Sequence, residues 1–138
     1  GISPDNSTAY LGSEYAEDLR AVAVSDASEE WTYGGYPQYY GPTELVVAPD
    51  GDIHSANANG DIITINPDGS EQWSQTIGIG TIRGVSVSPD SSTVYSASSD
   101  FGDGQIAATD AETGSTTVWS NSYSTQANSV SAVGEYQF

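Results

Sequence analysis

One short phrase recurs along the chain: Ile2-Ser3-Pro4-Asp5-Asn6, Val47-Ala48-Pro49-Asp50-Gly51 and Val87-Ser88-Pro89-Asp90-Ser91. Its prolines stand 45 and 40 residues apart. Each copy ends a β-prone run on a tight turn, because Pro presets φ at the second turn position and Asp bonds the backbone two residues on. A period of this length restricts the chain to one supersecondary unit written several times, each copy burying its faces only against its neighbours.

The most legible copy carries four β-prone runs, at 83–87, 93–97, 105–109 and 116–120, separated by turn clusters at 88–91, 99–104 and 110–114. Four short strands joined by three turns in about 40 residues describe a propeller blade. The tryptophans repeat as well: Trp31, Trp73 and Trp119 are 42 and 46 residues apart, each followed by Thr or Ser. The expectation is an all-β, β-propeller-like array of about three four-stranded antiparallel blades plus a partial fourth, with no helix. Blade 1 covers about 1–35, blade 2 about 43–77, blade 3 about 81–123 and the partial blade 128–138, in a single domain over 1–138. Residues 1–3 read as the tail of an inner strand. The tryptophan spacing alone also fits an immunoglobulin-like sandwich.

Ala107-Ala108-Thr109-Asp110-Ala111-Glu112-Thr113-Gly114, followed by Trp119, resembles the blade motif of the PQQ-like repeat, and 85–97 resembles the strand pair of YVTN-type repeats. The resemblance implies that Trp31, Trp73 and Trp119 dock between neighbouring blades, a structural role. The first copy departs from the motif with Asp26-Ala27-Ser28-Glu29, and the second shortens it to Pro67-Asp68-Gly69. PQQ-like enzymes hold a quinone and calcium in a complete ring. No complete cofactor site is reproduced here, so the resemblance implies a scaffold before an enzyme.

Two Lys and Arg against 19 Asp and Glu give a formal net charge of −17. Such a surface repels itself in dilute buffer, and molar salt shortens the screening length to about 3 Å. A halophilic, archaeal or archaeal-virus habitat is expected, with an extracellular, cell-surface or virion location; an ordinary acidic secreted protein is the alternative. Nucleic acid is not an expected partner, since phosphate contacts need Lys and Arg. No apolar run is long enough to insert in a membrane. Cys is absent, which leaves disulfides and thiolate metal sites out. The chain does not begin with Met, as expected of a processed chain or a piece of a longer one.

Three blades and a fraction leave two faces uncovered. The expected partners are therefore other copies of the chain, whose 128–138 segment would complete a neighbour's first blade, or further blades of a longer chain. In such an array the longer connections gather at one end, where binding tends to live. They carry Tyr15, Tyr36, Tyr39, Tyr40 and Phe101 among Glu14, Glu17, Asp18, Asn57 and Asn59. These aromatics are the candidate surface for a protein or glycan partner; the competing reading has Tyr36, Tyr39 and Tyr40 filling gaps between blades.

Asp100 and Asp103 are a weak calcium candidate, without EF-hand spacing, and no other cofactor is expected. Asn6-Ser7-Thr8 fits a glycosylation sequon at Asn6. His54 stands alone and reads as a plain strand residue. No Gly-x-Ser-x-Gly occurs, and no Lys is present to form a Schiff base. Arg20 and Arg83 are the two fixed cations, each placed to neutralise carboxylates or to grip an anion. No catalytic residue is expected. The functional expectation is a non-enzymatic binding or assembly module; the alternative is a piece of a PQQ-like or lactonase-like enzyme whose active site lies in other blades.

The charge argument makes a direct prediction. The thermal midpoint should rise by at least about 10 °C between roughly 0.1 M and 3 M NaCl, as self-repulsion is screened. Equal midpoints by circular dichroism would remove the inference of a salty habitat.

Overall fold

The computed structural model describes residues 1–77, 79–121 and 129–132, with the strand placement alone for 118–121. Among the described residues the chain is all-β, with strands β1 (Thr8–Ser13), β2 (Asp18–Ala23), β3 (Glu29–Tyr33), β4 (Pro42–Val47), β5 (Ile53–Asn57), β6 (Asp61–Ile65), β7 (Glu71–Thr76), β8 (Thr81–Val87), β9 (Thr93–Asp100), β10 (Asp103–Asp110) and β11 (Thr116–Asn121). They form three antiparallel meanders, β1-β2-β3, β4-β5-β6-β7 and β8-β9-β10-β11. The expected turns hold these hairpins. Asp5, Asp26, Asp50, Asp68 and Asp90 each accept a hydrogen bond from the backbone N–H two residues on.

The sheets pack face against face. Tyr10, Leu19 and Ala21 of the first meet Ile53, Ile63 and Ile65 of the second. Ala56 and Ile62, from the second sheet's other face, meet Ile82 and Val94 of the third. The middle sheet is therefore covered on both sides, and β5 and β6 are buried at every residue. The outer strands β3 and β7 are mostly exposed, with Trp31 and Tyr33 half-buried in the first and Trp73 alone in the second. Each fully buried Ile or Leu contributes about 1.5–3 kcal/mol relative to an exposed one.

Both joints use the same device. The Trp31 indole N–H donates to the Pro67 carbonyl (3.0 Å), and that of Trp73 to the Ala111 carbonyl (2.7 Å). Beneath each indole lies a glycine with positive φ, Gly69 (87°) under Trp31 and Gly114 (71°) under Trp73. A Cβ at Gly69 would fall 2.7 Å from the Trp31 ring, and one at Gly114 3.1 Å from that of Trp73. The equivalent position of the first sheet is Ala27, φ 59°. The equivalence follows from the hydrogen bonds that close the three turns, Ala23 N to Ser28 O, Asn66 N to Ser70 O and Asp110 N to Ser115 O.

Trp119 departs from the expected common register. Trp31 opposes Ala21 and Trp73 opposes Thr64, each beside a β-bulge that leaves Glu30 or Gln72 unpaired. β11 pairs without a bulge, and Trp119 stands four residues past the turn-closing Ser115 where Trp31 and Trp73 stand three past Ser28 and Ser70, so Trp119 opposes Ile106 and Thr117 takes the place equivalent to Trp73. Other differences are smaller. The first sheet has three named strands, joined to the residues before them by the single bridge Ile2–Ala9. The turn expected at 99–104 contracts to Phe101-Gly102, because pairing continues out to Asp100–Asp103. The partial blade at 128–138 lies largely outside the described residues. Ser129 and Val130 approach β8 at Gly84, where an added Cβ would come within 2.8 Å of the Ser129 Cα.

The indole joints predict opposite outcomes for three single substitutions. Gly69→Ala and Gly114→Ala should each cost about 1–3 kcal/mol, from steric contact and left-handed strain. Ala27→Gly should be neutral or stabilise by up to about 1 kcal/mol. Chemical denaturation of the three variants checks this.

Candidate functional site at one end of the sheets

Each meander alternates direction, so the connections β1–β2, β3–β4, β5–β6, β7–β8 and β9–β10 emerge at one end of the stack and the Pro-Asp turns at the other. The turn end is locally self-satisfied. Hydroxyls of Ser7 and Ser3 hold the Asp5 carboxyl down to about 2, and those of Ser88 and Ser92 do the same for Asp90. The Asp110 carboxylate is bonded by the Thr113 hydroxyl and N–H. Asn6, the sequon asparagine, is exposed in this end's first turn with φ 62°.

The connection end is different. Tyr15 is 96% exposed, Tyr39 77% and Phe101 103%, and Tyr40 is also exposed. Two of these stand in strained backbone: Tyr39 has φ 70° and Phe101 φ 42°, a left-handed region that costs a residue with Cβ about 1–2 kcal/mol. Tyr39 is fixed there by its N–H donating to the Glu17 carboxylate at 2.6 Å. Phe101 forms the first position of the two-residue turn, where Asn or Gly would fit without strain. Tyr36 belongs elsewhere. It is buried, its hydroxyl donates to Ser55 Oγ at 2.6 Å, and its ring meets Tyr33 edge-on at 5.5 Å. Burial pushes its hydroxyl up to about 12. Of the predicted aromatics, Tyr36 is a filler between the first two sheets, and Tyr15, Tyr39, Tyr40 and Phe101 are surface groups.

Asn57 and Asn59 also turn inward to structure. Their side-chain amides donate to the Asp61 carboxylate (3.0 and 3.1 Å), and Thr76 donates to its other oxygen (2.5 Å). Burial acts to raise the Asp61 carboxyl, but these donors outweigh it and hold it below its usual range. Asp100 and Asp103 face each other across the hairpin, both exposed. Among the described residues no three of His, Asp and Glu converge on a metal-sized point. Arg20 is taken up structurally, 2.7 Å from Asp18 and 3.5 Å from Glu29.

A cleft of about 340 Å³ opens at this end where the three sheets meet. Its wall includes Glu14 from the first sheet's loop, Thr43 and Glu44 of β4, and Thr81, Ile82 and Arg83 of β8. Thr43 braces the floor, its hydroxyl lying 3.2 Å from the Ala56 carbonyl and 3.3 Å from the Ile82 carbonyl. Arg83 donates through Nε to Ser99 Oγ at 3.0 Å. Among the described residues no carboxylate lies within 4 Å of its guanidinium. Nothing in the linear order of residues points to this cleft, because its charged groups come from three separate copies of the repeat.

His54 lies apart, 1% exposed between the second and third sheets. Its Nδ1 is 2.9 Å from the Thr64 hydroxyl, its Nε2 has no partner among the described residues, and its ring leans on Trp73 at 6.5 Å. Burial depresses its pKa to about 4, so it is neutral in the folded protein near pH 7.

No known protein family matches the chain, and no curated protein matches it. Among solved structures, one described as Kuenenia stuttgartiensis hydrazine synthase has the same fold. The likeness has a TM-score of 0.81 at 20% identity, over 93% of this chain and 36% of that one. At that identity the similarity is one of fold. This chain spans about a third of the length of the neighbour it matches.

The state of His54 sets a pH dependence. Its folded pKa of about 4 lies below the ordinary 6.5, so between those values the unfolded chain binds more protons. Stability is then fully present above about pH 6.5 and lost as pH falls toward 4, by about 3 kcal/mol. In molar salt, His54→Gln should flatten that part of the stability–pH curve, measured by denaturation between pH 7 and 4.

Proposed function

We propose that this chain is a propeller-type scaffold module without catalytic function, which holds a protein or glycan partner against its connection end in a high-salt, extracellular or virion-surface setting. Support for the propeller reading comes from the two identical indole joints and the inside-to-outside meander of each sheet. One observation carries the binding reading: the large exposed aromatics of the loops and turns stand at one end, and two of them occupy backbone that disfavours them. Exposing Phe101 and straining it both cost stability, and side chains held in that condition cluster where function requires them. Aromatic faces also suit a salty medium, because stacking and burial survive the screening that weakens charge–charge attraction.

The reading predicts a trade of stability against binding. Phe101→Asn and Tyr39→Gly should each stabilise the fold by about 0.5–1.5 kcal/mol, by relieving left-handed strain. In molar NaCl the parent chain should bind members of a printed saccharide array, or itself by sedimentation, and the double variant should bind at least about tenfold more weakly. Undiminished binding by the variant, or none by the parent in either assay, would overturn the proposal.

A further inference from the structure

The cleft between Glu14, Glu44 and Arg83 is an independent feature, resting on neither the aromatic tips nor the propeller reading. Its two inner strands are irregular at the same place. β4 shifts register between Pro42 and Glu44, leaving Thr43 unpaired, and β8 shifts between Ile82 and Gly84, leaving Arg83 unpaired. Bulges re-aim side chains and are over-represented beside functional sites. Here both bulged residues line one cleft. Arg83 is one of two cations in a chain with 19 carboxylates. Arg20 is matched to two of those carboxylates, whereas Arg83 donates to a serine hydroxyl and lines the cleft wall.

We infer that this cleft binds a small zwitterion of the α-amino acid class, with the ligand carboxylate on the Arg83 guanidinium and its ammonium between Glu14 and Glu44. The charges on the wall decide the class. A simple anion would meet two carboxylates, and a simple cation would meet the guanidinium. A molecule carrying both charges a few bonds apart satisfies all three groups. Arg presents paired donors that match a carboxylate's two oxygens, and the volume of about 340 Å³ lies at the small-ligand end of binding clefts. The Thr43 hydroxyl, 3.3 Å from the Ile82 carbonyl, braces β4 against β8 beside these charges.

Calorimetric titration in molar NaCl tests the assignment with glycine, serine, glutamate and lysine, alongside N-acetylserine and serinamide, which each lack one charge. At least one free amino acid should bind with a Kd near or below about 1 mM, and both single-charge analogues at least about tenfold more weakly. Arg83→Gln and Glu44→Gln alter exposed side chains and should keep the thermal midpoint while losing at least about tenfold in affinity. No binding by the parent would overturn the inference. So would equal binding of either single-charge analogue, or affinity unchanged in both variants.

Discussion

Everything in this structure depends on the indole that leaves one sheet and lands on the next. A four-stranded antiparallel sheet of 35–40 residues cannot bury both faces alone, and stacking supplies the missing cover. Generic apolar contact between flat sheets would permit sliding. The hydrogen bonds from Trp31 to the Pro67 carbonyl and from Trp73 to the Ala111 carbonyl remove that freedom. Each ties the outer strand of one sheet to the turn of the next, at the single point where a glycine leaves room for a ring.

Fixing the sheets at their outer strands also fixes what happens at their inner ones. β4 is held between the first and third sheets, so Glu14, Glu44 and Arg83 converge although each belongs to a different repeat. The two ends of the stack then diverge in chemistry. Serine- and threonine-bonded carboxylates close the turn end into short, self-contained loops. The connection end carries exposed rings and a charged cleft. One architecture thus provides an end of self-bonded turns and an end of exposed rings and charges, and neither requires a residue in the sheet interior to give up its packing role.

The strands and turns were legible in the sequence because their causes are local: Pro sets φ, Asp bonds the following N–H, and β-branched runs alternate. The charge balance was equally plain. Register was not. Similar spacing of Trp31, Trp73 and Trp119 suggested equal placement, but a bulge absorbs one residue at Glu30 and at Gln72 and none in β11, and Trp119 stands one residue further past its turn, so it falls two ladder positions away. Spacing along the chain measures position in the ladder only where pairing is unbroken. Bulges at Thr43 and Arg83 hid the cleft in the same way. His54 and Tyr36 show a second limit. Their neighbours in sequence are strand or loop residues of ordinary kind, and their burial comes from sheets that are distant in the chain. The sequence told that Tyr36 was aromatic and near a crossover; whether it pointed to solvent or to Ser55 was decided by the neighbouring sheet.

Ala27 gives the stack a direction. Its methyl group fills the space that hydrogen leaves open at Gly69 and Gly114, so the outward side of the first sheet has no seat for an indole. Anything packed over that side would have to meet position 27 with a group slimmer than Trp. Thr117, in the slot where Trp73 sits one sheet earlier, is slim in that sense. The three units are therefore related without being interchangeable: a second or third sheet moved to the first place would offer a seat with no ring to fill it, and the first sheet moved inward would refuse the ring it was offered.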